Sequence, residues 1–310
     1  MVIDHYHDPQ SDLWLDWLQH HRHADDPEFG QAIQAMTERY ADRVLDGARL
    51  GTGMTLADIG SGDGLVAFRA IRRIGPSLNV TLADISAPLL RFAEASAVRQ
   101  GVRQQCTFLH CGAEKLAPLA DASVDAVTTR AVLAYVASKP TALREFFRVL
   151  KPGGRLSIAE PVWREEALAA KALRTALDEH GAERDRFMSL LHRLKAAQFP
   201  DTDEEISKHP LVNYSERDLV GFAMQAGFAD IHFEFHIDVL PPLARSWDIF
   251  LGCSPHPWAP PPRAILAERF TPDEAQLFEQ IFRPIIENSH TPNIDRVAYL
   301  TAVKPGQAQP

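Results

Sequence analysis

The stretch LADIGSGDGLVAF, residues 56–68, joins a short apolar run to three glycines at alternate positions, Gly60, Gly62 and Gly64. A short apolar run followed by an amphipathic segment predicts a buried strand, a tight turn and a helix. Glycines in such a turn allow the backbone to approach a ligand closely. The stretch therefore predicts the first strand–helix unit of an α/β fold, with a ligand site at its turn.

This turn does not match the two glycine-rich loops that most often bind phosphates. The dinucleotide fingerprint G-x-G-x-x-G needs a third glycine where this chain has Leu65. A Walker loop needs Gly-Lys-Ser/Thr, and no such triplet follows. Asp63 inside the loop would also repel a pyrophosphate at short range. A ligand that carries cationic groups is the better electrostatic match.

Asp84 ends the second predicted strand, 20 residues after Gly64. A carboxylate at this place can accept hydrogen bonds from both ribose hydroxyls of an adenosine. Together, the glycine turn and Asp84 predict a nucleoside ligand without phosphates.

Apolar strands and amphipathic helices alternate over residues 51–162. This alternation predicts a mostly parallel sheet with helices on both faces, a doubly wound α/β core. Residues 1–50 read as an N-terminal helical cap whose first helix begins at an expected N-cap, Ser11. Residues 163–210 predict a helical insertion, and residues 211–310 predict the rest of the core with a further helical insertion.

Composition limits the classes of partner. The chain has 310 residues, of which 45% are hydrophobic, and a formal net charge of -9. Polynucleotide binding needs a basic face, so we expect no nucleic-acid partner. No apolar run is long enough to predict a membrane span, and the start MVIDHYHDPQ lacks a signal-peptide layout. Three cysteines suit a reducing compartment, so a cytoplasmic protein without a membrane partner is expected.

Four motifs in chain order resemble those of one enzyme family. LADIGSGDG is similar to the first motif of class I S-adenosylmethionine (SAM)-dependent methyltransferases, and TLADIS to the second. HCGAEKLAPLADASVDAVTTRAVLAYV is similar to the third and fourth, REFFRVLKPGGRLSIAE to the helix–strand segment that follows them, and SERDLVGFAMQAGFADI to a late segment of the small-molecule branch. The resemblance implies a Rossmann-like methyltransferase core with SAM as cofactor.

The resemblance also implies which residues contact SAM. They are Asp58, Gly60, Ser61, Gly62, Gly64, Asp84, Ile85, Ala113, Glu114 and Arg130. Asp58 is expected near the amino end of the methionyl group, and Asp84 at the ribose diol. Ile85 is expected on the adenine and Glu114 at its edge. Arg130 falls where the family usually contacts the methionyl part, although arginine is less common there.

Candidates for the acceptor side follow from the chemistry of methyl transfer. A hydroxyl or acidic carbon acceptor needs a base, and the candidates for it are His7, Glu160 and His209, whereas an amine with a free lone pair needs none. Aromatic side chains can stabilise a sulfonium or a flat substrate. The aromatic candidates are Tyr6, Tyr135, Trp163 and Tyr214. The N-terminal helices and the insertion at 163–210 are predicted to form a lid around an apolar chamber.

A metal site is not predicted. Cys106, His110 and Cys111 lie close in sequence, but the isolated Cys253 and His256 do not supply a second ligand pair at suitable spacing. Buried structural cysteines are the better interpretation.

The sequence thus predicts a SAM-dependent methyltransferase acting on an N, O or C atom of a small metabolite, in specialised metabolism. The alternatives are a quinone-precursor C-methyltransferase and a SAM-binding protein without turnover. A nicotinamide-dependent oxidoreductase is disfavoured by Leu65. A homodimer is compatible with these features, but the sequence defines neither the oligomeric state nor the methyl acceptor.

Overall fold

The computed structural model describes residues 11–181, 185–240, 246–288 and 293–306. Its strands are β1 (Thr55–Ile59), β2 (Asn79–Asp84), β3 (Cys106–His110), β4 (Val124–Arg130), β5 (Leu150–Pro161), β6 (Ala229–Leu240) and β7 (Asn293–Val303). Its helices are α1 (Leu13–Asp16, continued by a π-helical turn at Trp17–His21), α2 (Pro27–Ala48), α3 (Leu65–Ile74), α4 (Ala87–Arg99), α5 (Lys139–Val149), α6 (Arg164–His180), α7 (Arg186–Ala196), α8 (Asp203–Lys208), α9 (Glu216–Ala226), α10 (Trp247–Gly252), α11 (Pro262–Arg269) and α12 (Pro272–Glu287).

The strands form one seven-stranded sheet in the order β3-β2-β1-β4-β5-β7-β6. Strands β1 to β5 pair in parallel, and β7 pairs antiparallel with β5. The predicted doubly wound, mostly parallel α/β core is therefore confirmed. Since the carboxyl ends of parallel strands meet at one edge of a sheet, Asp58, Asp84, Arg130 and Glu160 all lie at or near that edge.

The chain divides into two compact units. The sheet unit comprises Met36–Val162, Tyr214–Ile237 and Arg296–Pro310, and the helical unit comprises Met1–Ala35, Trp163–Asn213 and Asp238–Asp295. The finer division expected from the sequence, with boundaries after residues 50, 162 and 210, stays a prediction.

The core of the sheet unit is built from the apolar strands and the inner faces of their helices. Leu56 of β1 and Leu82 of β2 are fully buried, and Val66 and Phe68 of α3 pack into the same cluster. Strand burial on both faces is what an apolar, non-alternating strand sequence requires. This packing fixes the end of β1 and the start of α3, and with them the glycine turn between.

The helical unit has a separate, aromatic core. Trp247, Phe270 and Phe278 are buried there with Leu190 and Leu194. The Trp247 ring stacks on Phe250 with centroids 5.0 Å apart, and Phe278 lies 5.0 Å from Phe282.

The caps of two helices test the sequence patterns. Ser86 caps α4 as predicted, since its hydroxyl accepts a hydrogen bond from the Leu89 N–H at 3.1 Å. Ser11 was the wrong choice for α1, because the Asp12 carboxylate accepts from Trp14 and Leu15 instead. Both serine and aspartate are good N-caps, so adjacent candidates are hard to separate by sequence.

Candidate active site

The glycine turn adopts a backbone that favours glycine at three alternate positions. Gly60, Gly62 and Gly64 have φ of +65°, +53° and +86°. A Cβ on Gly60 would overlap Val132, and one on Gly64 would overlap Phe68. At Gly62, by contrast, no atom of the described residues lies within 4 Å of the added Cβ. The turn is thus packed on two sides and leaves open space beside Gly62.

Strand β2 holds this turn in place. The Ala83 carbonyl accepts hydrogen bonds from the N–H groups of Gly60 and Ser61, at 2.7 and 3.1 Å. The carboxylate of Asp84 accepts from Gly62 N–H at 2.8 Å and from Ser86 N–H at 2.9 Å. The predicted ribose-binding carboxylate therefore also fixes the loop that is predicted to line the methionyl and ribose parts.

Asp58 is buried at the end of β1, with 2% of its surface exposed. Its Oδ1 accepts a hydrogen bond from the Thr128 hydroxyl at 2.8 Å, whereas its Oδ2 has no partner among the described residues. Burial raises the pKa of this carboxyl to about 7, although Thr128 and the positive charge of Arg130 oppose the shift. A cationic ligand would stabilise the ionised form of this buried carboxyl group.

The remaining predicted cofactor residues surround the same edge of the sheet. Ile85 follows Asp84 with 48% of its surface exposed, which leaves an apolar face for a flat base to cover. Ala113 is buried, and the Glu114 carboxylate accepts a hydrogen bond from Ser138 N–H at 2.6 Å. Arg130 ends β4, next to Ala131, whose φ of +56° is unusual for a residue with a side chain.

Glu160 is fully buried near the end of β5 and is saturated with hydrogen bonds. Its carboxylate accepts from the Thr129 hydroxyl at 2.9 Å and from the N–H groups of Val132 and Ala134, at 3.0 and 3.3 Å. Burial raises its pKa, and these donors oppose the shift. Through these hydrogen bonds, Glu160 connects the loop at 131–135 to the end of the sheet and fixes its position.

Two predicted aromatic candidates lie in the sheet unit near Glu160. Tyr214 is buried, and its hydroxyl donates to the Pro161 carbonyl at 2.9 Å. Burial and the Glu160 charge raise the pKa of both Tyr135 and Tyr214, so both phenols are neutral. The Lys139 ammonium lies 4.4 Å from the centre of the Tyr214 ring and donates to the Val136 carbonyl at 3.2 Å.

Lys139 was not singled out from the sequence. It is 3% exposed, and burial lowers its pKa to about 8 while Glu160 and Glu114 oppose the shift. A lysine next to a proline at the start of a helix is normally exposed to solvent. The sequence therefore contains no signal that Lys139 is buried.

Other predicted residues belong to the helical unit or lie outside the described residues. Trp163 and His209 fall in the helical unit. His209 Nδ1 accepts from Leu211 N–H at 3.3 Å, and its ring lies 5.6 Å from that of Trp258. Tyr6 and His7 lie outside the described residues.

The described residues contain no cluster of three or more His, Cys, Asp or Glu side chains arranged for a metal ion. Cys106 is buried, Cys111 and Cys253 are half-buried, and all three are free thiols. Within the part of the chain that the structure describes, no helix is both long enough and apolar enough to cross a membrane.

Comparison with known proteins identifies the family of the chain. A family model described as a methyltransferase domain matches residues 57–158. The ubiquinone/menaquinone biosynthesis C-methyltransferase UbiE of Cellvibrio japonicus is 32% identical over 193 residues, which cover 62% of this chain and 73% of that protein. UbiE of Pseudomonas putida is 34% identical over 187 residues, 59% of this chain and 68% of the relative. The chain therefore belongs to the class I SAM-dependent methyltransferases.

Solved structures share the fold. YcgJ from Bacillus subtilis matches with a TM-score of 0.53 and 18% identity, over 86% of this chain and 98% of that one. The (4+2)-cyclase SpnF matches with a TM-score of 0.52 and 21% identity, over 93% and 87%. Phosphoethanolamine N-methyltransferase 2 of Haemonchus contortus, solved with S-adenosylhomocysteine, matches with a TM-score of 0.51 and 16% identity, over 96% and 58%.

The protein is an enzyme with SAM as its cofactor. The residues at the sheet edge fit that group on three counts. No described atom lies within 4 Å of a Cβ added to Gly62, and two buried polar atoms of the same strand–turn segment, Asp58 Oδ2 and Ser61 Oγ, have no hydrogen-bond partner among the described residues. Buried polar atoms without partners are uncommon in proteins, and a polar, cationic ligand would supply what these lack.

Proposed function

We propose that this enzyme transfers the methyl group of SAM to an N, O or C atom of a small metabolite, in specialised metabolism. The observation that carries the proposal is the pairing of the open turn at Gly62 with the buried carboxyl of Asp58. The net charge of -9 argues against nucleic acid as the acceptor. The N-terminal helices and residues 163–210, which the sequence predicts to form a lid, favour a small acceptor.

When bound, SAM supplies a methyl group that the positive charge of its sulfonium already activates. The protein then contributes binding and orientation. In this proposal the turn at 60–64 and Asp84 bind the nucleoside, and Asp58 binds the cationic end of the methionyl group. Ile85, Ala113 and Glu114 complete the adenine side, and Arg130 lies at the methionyl side.

Glu160 fits a positioning role better than the role of a base. Both of its oxygens already accept hydrogen bonds from N–H groups of the loop at 131–135. A base must be able to take a proton from the acceptor, so His209 and His7 are kept as the candidates for that step. An acceptor amine with a free lone pair would need neither.

A quinone-precursor C-methyltransferase is the second candidate, because the curated relatives from Cellvibrio japonicus and Pseudomonas putida carry that name. A SAM-binding protein without methyl transfer is the third. The neighbour SpnF, described as a cyclase, illustrates that one fold can carry different chemistry.

The test is to incubate the protein with SAM labelled in its methyl group and with three pools of acceptors: small-molecule extracts, extracted quinone lipids, and total RNA with protein. Label in the small-molecule pool supports the first proposal, and label in the lipid pool supports the second. Tight SAM binding without S-adenosylhomocysteine formation in any pool supports the third. Label confined to RNA or protein refutes all three.

The proposal includes a cytoplasmic location and no nucleic-acid or membrane partner, on the basis of cysteine usage and acidic charge. A homodimer is part of the proposal and is tested by light scattering.

A further inference from the structure

A second cavity, of about 420 Å³, lies within the sheet unit, and we call it the arginine cavity. Its walls come from the end of α2 and from the neighbouring strands β5, β7 and β6. The lining residues are Arg49, Arg155, Asp230, His232 and Thr301. Sites for small ligands commonly measure about 300–1,000 Å³, so this cavity has room for a small metabolite.

The arginine cavity is separate from the edge of the sheet where SAM is expected. Arg155 pairs with Ala126 in the register of β4 and β5, whereas Arg130 at the cofactor edge pairs with Ala159. Four residues along a strand span about 13 Å. The cavity therefore lies toward the amino ends of the parallel strands, and a ligand in it would leave the SAM edge free.

Arg155 is held in place by the end of α2. Its Nε donates to the Gly47 carbonyl at 3.1 Å. A Cβ on Gly47 would lie 2.5 Å from Ser157 Oγ and 2.6 Å from Thr301 Cγ2, so glycine allows the helix to approach the sheet here. The described residues give Arg155 no ion pair within 4.0 Å, although its side chain is half-buried. The guanidinium is thus positioned at the cavity without a carboxylate to neutralise it.

The charge of this cavity is unusual for an acidic protein. Burial lowers the pKa of Arg155, the positive charge of Arg49 lowers it further, and Asp230 opposes the shift. Elsewhere in the sheet unit, Arg69 and Arg148 have carboxylate partners at 2.6 and 2.8 Å. Two arginines that repel one another thus line one cavity of a chain whose net charge is -9. An anion between them would replace this repulsion by attraction.

The backbone of the cavity is also unusual. Arg49 and Asp230 have φ of +49° and +47°, which is unfavourable for a residue with a side chain. They are two of six such non-glycine residues in the described part of the chain. Backbone conformations of this kind are concentrated at ligand-binding sites. The strain therefore agrees with a binding role for this cavity.

We propose that the arginine cavity binds the phosphate monoester of a small, hydroxyl-bearing metabolite. Its phosphate would lie between Arg49 and Arg155, because guanidinium groups donate paired hydrogen bonds to phosphate oxygens. Asp230 would accept hydrogen bonds from the hydroxyl groups. His232 lies 3.2 Å from Glu234, so the two arginines are the permanent cations of the cavity. The proposal is independent of the methyl acceptor.

Three small probes separate the phosphate from the hydroxyl groups: ribose 5-phosphate, inorganic phosphate and ribose. Their dissociation constants are measured by calorimetry on the full chain, with S-adenosylhomocysteine in excess to occupy the SAM edge. We expect ribose 5-phosphate to bind at least about tenfold more tightly than ribose, with inorganic phosphate between them. Its affinity should fall as salt is added. A short RNA oligonucleotide serves as a fourth probe, and we expect it to bind more weakly than ribose 5-phosphate.

Arg49→Gly separates binding from folding. Glycine adopts the left-handed backbone readily, so Tm should be retained or rise, whereas the affinity for ribose 5-phosphate should fall about tenfold. Arg155→Met keeps an unbranched side chain without the charge, and its affinity should fall by a similar factor. The control is Arg217→Gln, on α9 of the same unit, where the arginine side chain is 91% exposed and does not line the cavity. It removes the same charge and should leave the affinity unchanged.

Several results would overturn the proposal. Equal binding of ribose 5-phosphate and ribose, or no saturable binding of either, would show that the cavity does not recognise phosphate. A folded Arg49→Gly variant with wild-type affinity would have the same meaning. An equal loss of affinity in Arg217→Gln would show a general effect of net charge, and tighter binding of RNA would identify a different class of ligand. Because these measurements record heat of binding, their outcome is distinguishable from failure of the proposed methyl transfer.

Discussion

Replacing Gly62 by alanine tests two effects separately: the loss of stability from an unfavourable backbone conformation, and the loss of SAM affinity from filling the space beside the turn. Gly62 has φ of +53°, and no atom of the described residues lies within 4 Å of an added Cβ. The left-handed backbone costs a residue with a side chain about 1–2 kcal/mol. Because packing adds nothing to this cost, we expect Tm to fall by about 1.5–3 °C in a chain of 310 residues.

The effect of Gly62→Ala on SAM binding should be larger than its effect on folding. The new methyl group would occupy the open space beside the turn, where the cofactor is proposed to lie. Forcing an extra methyl into a fitted site costs about 1–3 kcal/mol. The dissociation constant for S-adenosylhomocysteine, measured by calorimetry, should therefore rise by about 5- to 150-fold.

Two matched variants complete this test. Gly101→Ala has the same backbone penalty, since φ is +71° and no described atom lies within 4 Å of its added Cβ, so it should lower Tm equally and leave binding unchanged. Gly60→Ala also overlaps Val132 and should lose the most stability. If Gly62→Ala lowers Tm like Gly101→Ala but binds S-adenosylhomocysteine as tightly as the wild type, the ligand does not lie against this turn.

Three further substitutions test the carboxylates. Asp84→Asn places an amide against the Gly62 N–H, so unfolding free energy should fall by about 1–3 kcal/mol in denaturant titrations; unchanged stability would count against the loop-holding role. Asp58 has a pKa of about 7, raised mainly by burial, so the affinity for SAM should increase from about pH 6 to about pH 8 as the carboxyl loses its proton. Because the folded state keeps a proton that the unfolded chain has lost, stability without SAM should fall with rising pH between about pH 4 and about pH 7. Asp58→Asn should weaken both dependences in calorimetry and thermal unfolding, and Glu160, whose pKa is also raised, contributes to the stability change that remains. Glu160→Gln should lower Tm and kcat but leave the shape of the pH–rate profile unchanged, whereas a changed profile would indicate that Glu160 is the base.

Most of the sheet unit could be predicted from the sequence, because its signals are local. The apolar run at 56–59, the glycine turn and Ser86 each lie within a few residues of the structure that they determine. The cofactor edge followed from the same local units, since parallel strands align their carboxyl ends.

The surroundings of several other residues could not be predicted to the same depth, because they depend on contacts between distant positions. Trp163 and His256 are 93 positions apart in the sequence, yet their ring centroids are separated by 6.1 Å. Glu160 is one of three predicted candidates for the base, and its hydrogen bonds to the loop at 131–135, which depend on the pairing of β4 with β5, could not be read from the sequence. The burial of Lys139 has the same long-range origin.

The hydrogen bonds from Gly60, Ser61 and Gly62 to β2 have a consequence for recognition. Their backbone amides are tied to Ala83 and Asp84 without any help from the cofactor. A nucleoside bound at this turn, as proposed, would meet a backbone already held by hydrogen bonds, so little conformational entropy would be lost there. The affinity of the turn at 60–64 for that ligand would then depend on shape and charge complementarity. The loop would not have to become ordered on binding.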